Sequence, residues 1–202
     1  MKKFLVAVIT AAAFATMTGC AALSMGFENF NRQWSGVSGD VKTYTSDGIL
    51  IDKIHGTSFN MSRDSRFDSV DKEGSSNRDS SVLTISLGNK VINHVWSTLI
   101  LSQDGLNNVI ETTKTKVTTE NNDPGVPWLN TFVENHRNMW QGGAKTIVVR
   151  SEFGTPVAVF IGQNVEIMAT SVPKSAQFRV DGKYLFVYRA NYTVYDSEIF
   201  NS

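Results

Sequence analysis

Three short turn sequences cut this chain into β-forming runs, and they restrict its fold more than any other feature. Ser46-Asp47-Gly48 separates 41–45 from 49–54, Gly88-Asn89-Lys90 separates 81–87 from 91–101, and Asp181-Gly182 separates 178–180 from 184–189. Gly, Asn and Asp tolerate the positive φ of tight hairpin turns, so each pair reads as two antiparallel strands. A two-residue loop at Asp181-Gly182 sets Phe178 opposite Leu185 and Val180 opposite Lys183. Further β-rich runs lie at 145–152, 156–161 and 165–170, and a Thr/Val-rich half-exposed strand is expected over 109–119. The polar stretch RDSRFDSVDKEGSSNRDSS, 63–81, has no apolar periodicity and reads as an exposed loop.

One helix is expected. In WLNTFVENHRNMW, 128–140, Trp128, Leu129, Phe132, Val133, His136, Met139 and Trp140 recur at the spacing of a buried helical stripe. Pro127 suits a first turn, and Gly142-Gly143 suits a stop. The expected fold class is therefore α+β, predominantly antiparallel β-sheet with one main amphipathic helix packed on it.

The N-terminus has a different character. Lys2 and Lys3 precede an apolar run over 4–17, which is the plan of a secretory signal peptide. That run is too short for a hydrocarbon core of roughly 30 Å, which takes about 20 apolar residues to cross as a helix. It ends in Met17-Thr18-Gly19-Cys20, with the only cysteine of the chain. This step resembles the lipobox of bacterial lipoproteins, with Met17 where Leu is usual. The resemblance implies a covalent diacylglycerol and acyl lipid on Cys20, and more than one chain is what stable anchoring requires.

The expected organisation is a removable signal peptide over 1–19, a lipidated tether with a short helix over 20–39, and one globular β-rich domain over 40–202. Phe27, Phe30 and Trp34 share one face of the short helix, which is expected to pack on the domain. Without Lys2 and Lys3 the chain carries 17 basic and 19 acidic side chains, a formal charge of −2, which suggests neither a nucleic-acid nor an anionic-lipid partner. With no second cysteine, stability must come from core burial, and 41% apolar residues are compatible with that.

Short catalytic motifs are missing: there is no nucleophile elbow, zinc helix, P-loop or dinucleotide fingerprint. His55, His94 and His136 are far apart in sequence, and His136 falls on the apolar helix face, where a satisfied core histidine is expected. The acidic residues of 63–81 do not fit an EF-hand, because counting from Asp68 puts Val70, and from Asp64 puts Arg66, where an oxygen ligand is needed. No metal site and no cofactor beyond the lipid is expected. Tyr184, Phe186 and Tyr188 alternate along one strand; such a row either covers a sheet or offers ligand-contact aromatics to a glycan or peptide.

Trp34-Ser-Gly36, VKTYTSDGILIDKIHG over 41–56 and RDSRFD over 63–68, with the lipobox, resemble a group of uncharacterised bacterial surface lipoproteins of about this length. That group is found mainly in Gram-positive bacteria. The resemblance implies the outer face of the cytoplasmic membrane or, in a two-membrane cell, the outer membrane. It implies no catalytic residue. The expected function is a membrane-anchored extracytoplasmic binding module, with an envelope polymer or protein as partner. The rival is a tethered hydrolase with a dispersed His/carboxylate site.

Overall fold

The computed structural model describes residues 27–113, 143–170 and 172–196. Cys20, the expected helix 128–140 with His136, and the 114–119 half of the expected Thr/Val-rich strand lie outside the described residues. Among the described residues the protein is mostly antiparallel β-sheet with two short helices. The main amphipathic helix of the sequence reading is not among them.

The chain enters through α1 (Phe27–Trp34) and passes into the hairpin β1 (Ser38–Tyr44) and β2 (Leu50–Thr57). Next come β3 (Phe59–Arg63), β4 (Leu83–Leu87), β5 (Lys90–His94) and β6 (Thr98–Gln103). After α2 (Val109–Thr113) follow β7 (Lys145–Arg150), β8 (Pro156–Gly162), β9 (Val165–Met168), β10 (Ser175–Val180), β11 (Lys183–Tyr188) and β12 (Asn191–Asp196).

These strands make three sheets. A central one has the order β2-β1-β6-β11-β10-β9, and two smaller ones have the orders β12-β7-β8 and β3-β4-β5. Side chains alternate across a strand, so β6 and β11 send neighbours to opposite faces. Leu99, Leu101, Phe186 and Tyr188 join Phe59, Met61, Leu83 and Ile85 of the β3-β4-β5 sheet in one core. Ile100, Leu185, Val187 and Phe178 join Ile147, Val149, Ala158 and Phe160 of the β12-β7-β8 sheet in the other. At β6 and β11 the central sheet is thus covered on both faces, which is why TLILSQ and KYLFVY read as continuous apolar runs rather than alternating ones.

The hairpin expectations hold: Phe178 lies opposite Leu185, Val180 opposite Lys183, and Tyr44 opposite Leu50. Helix α1 packs by Phe30 and Trp34 on the first core, with Phe30 stacked edge-on against Phe186.

Two expectations need correction. Residues 109–113 are helical, because Asn108 caps them: Ile110 N–H donates to its side-chain oxygen at 3.2 Å, and Glu111 and Thr112 N–H donate to its carbonyl. The run 91–101 is two strands, broken at Val95–Ser97 where Trp96 has φ 73°. A further strand that the sequence reading did not name, β12, pairs with β7.

Candidate functional site

Strand register gathers the connections into two opposite ends. Tyr44 pairs with Thr98, Leu99 with Tyr188, Tyr188 with Ser175, and Asn191 with Arg150. Turns 45–49, 95–97, 151–155 and 189–190, with residues 172–174, therefore share one end. Phe153 N–H and the Ser151 hydroxyl both donate to Ser46 O, at 3.1 and 2.7 Å, tying two of these turns together.

A pocket of about 380 Å³ opens at this end, with Glu152, Lys174, Ser175, Arg189, Asn191 and Tyr192 in its wall. The Arg189 side chain is only 9% exposed. Its guanidinium lies 4.6 Å over the Trp96 ring, a cation–π contact. Among the described residues it forms an ion pair with Glu152, whose oxygen stands 3.9 Å away, beyond hydrogen-bond distance, and the Tyr188 hydroxyl is a further polar neighbour. Lys174 and Arg189 have φ of 60° and 49°, and Arg189 N–H donates to Lys174 O at 2.9 Å. With Trp96, three residues with side chains hold left-handed backbone here, a strain that tends to collect at ligand sites. Asn191 donates to the carbonyls of Ser151 and Glu152 at 3.2 Å each, which fixes the opposite wall.

The other end carries a polar cleft of about 200 Å³ lined by Asp40, Lys42, Ser102, Asp104, Asn108 and Glu111 among others. His55 Nδ1 lies 3.0 Å from Asp40 Oδ1 and 3.7 Å from Asp104 Oδ1. Lys42, nearly buried, donates to both Glu111 oxygens at 2.8 and 2.7 Å. Burial works against the Asp40 charge, but hydrogen bonds from His55 and Lys53, with the charges of Lys53 and Lys42, outweigh it. Its carboxyl is held below the usual carboxylate range. His55 does not line this cleft, but it is oriented by a fixed carboxylate that does.

The aromatic row expected to offer ligand contacts lies elsewhere. Phe186 and Tyr188 are fully buried, and Tyr184 is half-buried with its ring 5.9 Å from Trp34. Tyr188 OH donates to Ser81 O at 2.7 Å. Helix α1 and the β3-β4-β5 sheet cover the row, so as folded it serves as core and offers no surface to a ligand.

The loop 63–81 is held by its own carboxylates. Asp68 receives Arg63, Ser76 and the Ser80 N–H, while Asp79 receives the Ser69 N–H and hydroxyl. Burial of Asp68 is outweighed by those donors, and its carboxyl stays below the usual range. Among the described residues no group of three or more His, Cys, Asp or Glu could hold a metal ion.

His94 is buried beside Tyr188, and its Nε2 lies 2.9 Å from Ser97 O. Burial pushes its pKa down, with Arg189 adding to the shift while the Ser97 carbonyl and Asp52 oppose it. A lowered folded-state pKa means that the unfolded chain takes up the proton first. Its contribution to stability is therefore complete above about pH 6.5 and is lost as pH falls through the folded-state value. Urea denaturation between pH 8 and 5 should show wild-type stability declining on the acid side, and His94→Gln should flatten that decline.

Arg189, Lys174 and Trp96 carried no motif. Trp96 sat within one apolar run and Arg189 at the end of another, and only the strand register brings them together. No curated protein and no solved structure matches the chain. Over residues 2–200 it matches a domain of unknown function, DUF5052, and so it belongs to that family.

Proposed function

We propose that the protein is a membrane-tethered extracytoplasmic binding module, anchored by lipid on Cys20, whose ligand is engaged in the Arg189 pocket. The observation that supports this reading is the Arg189 side chain, nine-tenths buried in a pocket wall and stacked on Trp96, whose ion-pair partner among the described residues, Glu152, stands 3.9 Å away, beyond direct hydrogen-bond distance. A buried cation whose counter-charge, Glu152, stands at ion-pair rather than hydrogen-bond distance keeps donors for a further anionic group. Lys174 adds a second positive charge, while Asn191 and the partly exposed Tyr192 add polar and aromatic contact suited to envelope polymers.

The anchor is tested by fractionation. After a high-salt wash the wild type should remain with the membrane, whereas Cys20→Ala should be released. Equal retention of the two forms would overturn the lipid anchor. The pocket is tested by titrating the protein with solubilised envelope polymer, which should bind the wild type and bind Arg189→Gln at least tenfold more weakly.

A second reading, a surface hydrolase, is favoured by the His55–Asp40 contact. In it His55 takes a proton from water while Asp40 holds the imidazole, a role that typically contributes about 10²–10⁴-fold to a rate. Ester or glycoside hydrolysis lost to that extent in both His55→Gln and Asp40→Asn, with polymer binding unaffected by Arg189→Gln, would replace the binding reading with this one.

A further inference from the structure

The end of the molecule that holds the Arg189 pocket also carries its most exposed large apolar side chains on turns. Phe153 is 73% exposed, Ile49 67% and Trp96 66%. They occupy three different turns, 151–155, 45–49 and 95–97, which register and the Ser46 hydrogen bonds hold side by side. Apolar tips around basic residues are the composition of a protein surface that meets a membrane interface, where aromatic rings sit at headgroup level and Arg or Lys meets phosphate.

The course of α1 gives the same end a second role. Trp34, at its C-terminal end, packs on Tyr184 and Phe59, while Phe30, one turn earlier, packs on Phe186. Asn31 Oδ1 accepts the Met61 N–H at 2.6 Å. The helix thus runs antiparallel to both β11 and β3, and its N-terminal end points towards Tyr188 and Arg63. Leu83, which faces Arg63, also faces His94, and the His94 ring lies 5.8 Å from that of Tyr188. The chain therefore enters the fold from the Trp96–Arg189 end. Phe27, the first described residue, lies on the side that presents the apolar tips and the basic pocket, and a lipid on Cys20 would tether the domain from that side.

We infer that this end docks on the membrane surface: Ile49, Trp96 and Phe153 enter the interface, and the Arg189 pocket takes the phosphate of an anionic phospholipid headgroup. This rests on the reading of the pocket as an anion site and gives it a lipid headgroup, in place of an envelope polymer, as occupant. The docked domain has one orientation, with the Asp40 cleft facing away from the bilayer.

The test uses the full lipidated protein with vesicles of phosphatidylcholine alone or mixed with phosphatidylglycerol, read by amide hydrogen exchange. Vesicles containing phosphatidylglycerol should slow exchange at 45–49, 95–97, 151–155 and 189–191, and leave 104–107 and 181–182 as in solution. Arg189→Gln and Phe153→Ser should each reduce that protection by roughly tenfold or more; the exposed Phe153 ring makes the second variant safe for folding. Exchange unchanged by vesicles at both ends would overturn docking, whether the protein is tethered or free. Protection that is equal on phosphatidylcholine alone and indifferent to Arg189→Gln would overturn the headgroup assignment. Soluble glycerol phosphate separates the two readings: protection of 189–191 by it, with none from vesicles, keeps the anion pocket and removes the docking.

Discussion

Trp34→Ala should unfold in urea at a stability about 3–5 kcal/mol below that of the wild type, the range for emptying a large aromatic site in a core. Trp34 is 0% exposed and packs with Phe30 at 5.6 Å, Phe59 at 5.8 Å and Tyr184 at 5.9 Å between ring centroids. These partners come from α1, β3 and β11, so the residue joins the N-terminal helix to two sheets. Trp34→Phe should cost much less. The indole N–H is buried without a hydrogen-bond partner among the described residues, and leaving a donor so placed costs about 1–3 kcal/mol. Removing it offsets part of the lost contact area. A loss below about 1 kcal/mol in Trp34→Ala would mean that α1 is an ornament on the domain and not part of its core.

Asn108→Ala is expected to lower stability by about 3–5 kcal/mol, from one lost helix cap and two orphaned backbone groups. The Asn108 side chain accepts from Val159 N–H at 3.0 Å and donates to Val157 O at 3.2 Å, both on the outer edge of β8. Its amide thus does for β8 what a neighbouring strand's peptide group would do, and it starts α2 as well. Asn108→Asp separates the two duties. The carboxylate keeps the acceptor for Val159 and Ile110 but cannot donate to Val157 or to Glu111, which Asn108 now reaches at 3.1 Å. An intermediate loss is expected; equal losses in both variants would show that the donor half carries the whole effect.

The parts of this fold legible in the sequence were those set by local chemistry. Asp47-Gly48, Gly88-Asn89 and Asp181-Gly182 make their turns wherever they occur, and with φ of 87°, 58° and 82° at Gly48, Gly88 and Gly182 the structure uses each as expected. The short helix carrying Phe30 and Trp34 was legible for a similar reason, since its apolar spacing needs no knowledge of the partner. The 109–113 segment was not, because Thr and Val favour strands in isolation while the deciding interaction joins Asn108 to β8, 49 to 51 residues away. The aromatic row at Tyr184, Phe186 and Tyr188 was ambiguous because alternation identifies a face but not what covers it. The Arg189 pocket was illegible altogether. Its walls come from turns that follow β7, precede β10 and follow β11, and only the order of strands in the sheets makes them neighbours.

The strands also set a distance. β1 has seven residues, and at about 3.4 Å per residue it separates the two ends of the central sheet by roughly 20–25 Å. With the Trp96–Arg189 end on a bilayer, the Asp40 cleft stands at that height, more than two Debye lengths of roughly 8 Å at physiological ionic strength. The negative surface potential of the membrane, and the local acidity it creates, has decayed there. In the proposed docking the sheet would act as a stand-off, with one end at the lipid and the other in bulk solution.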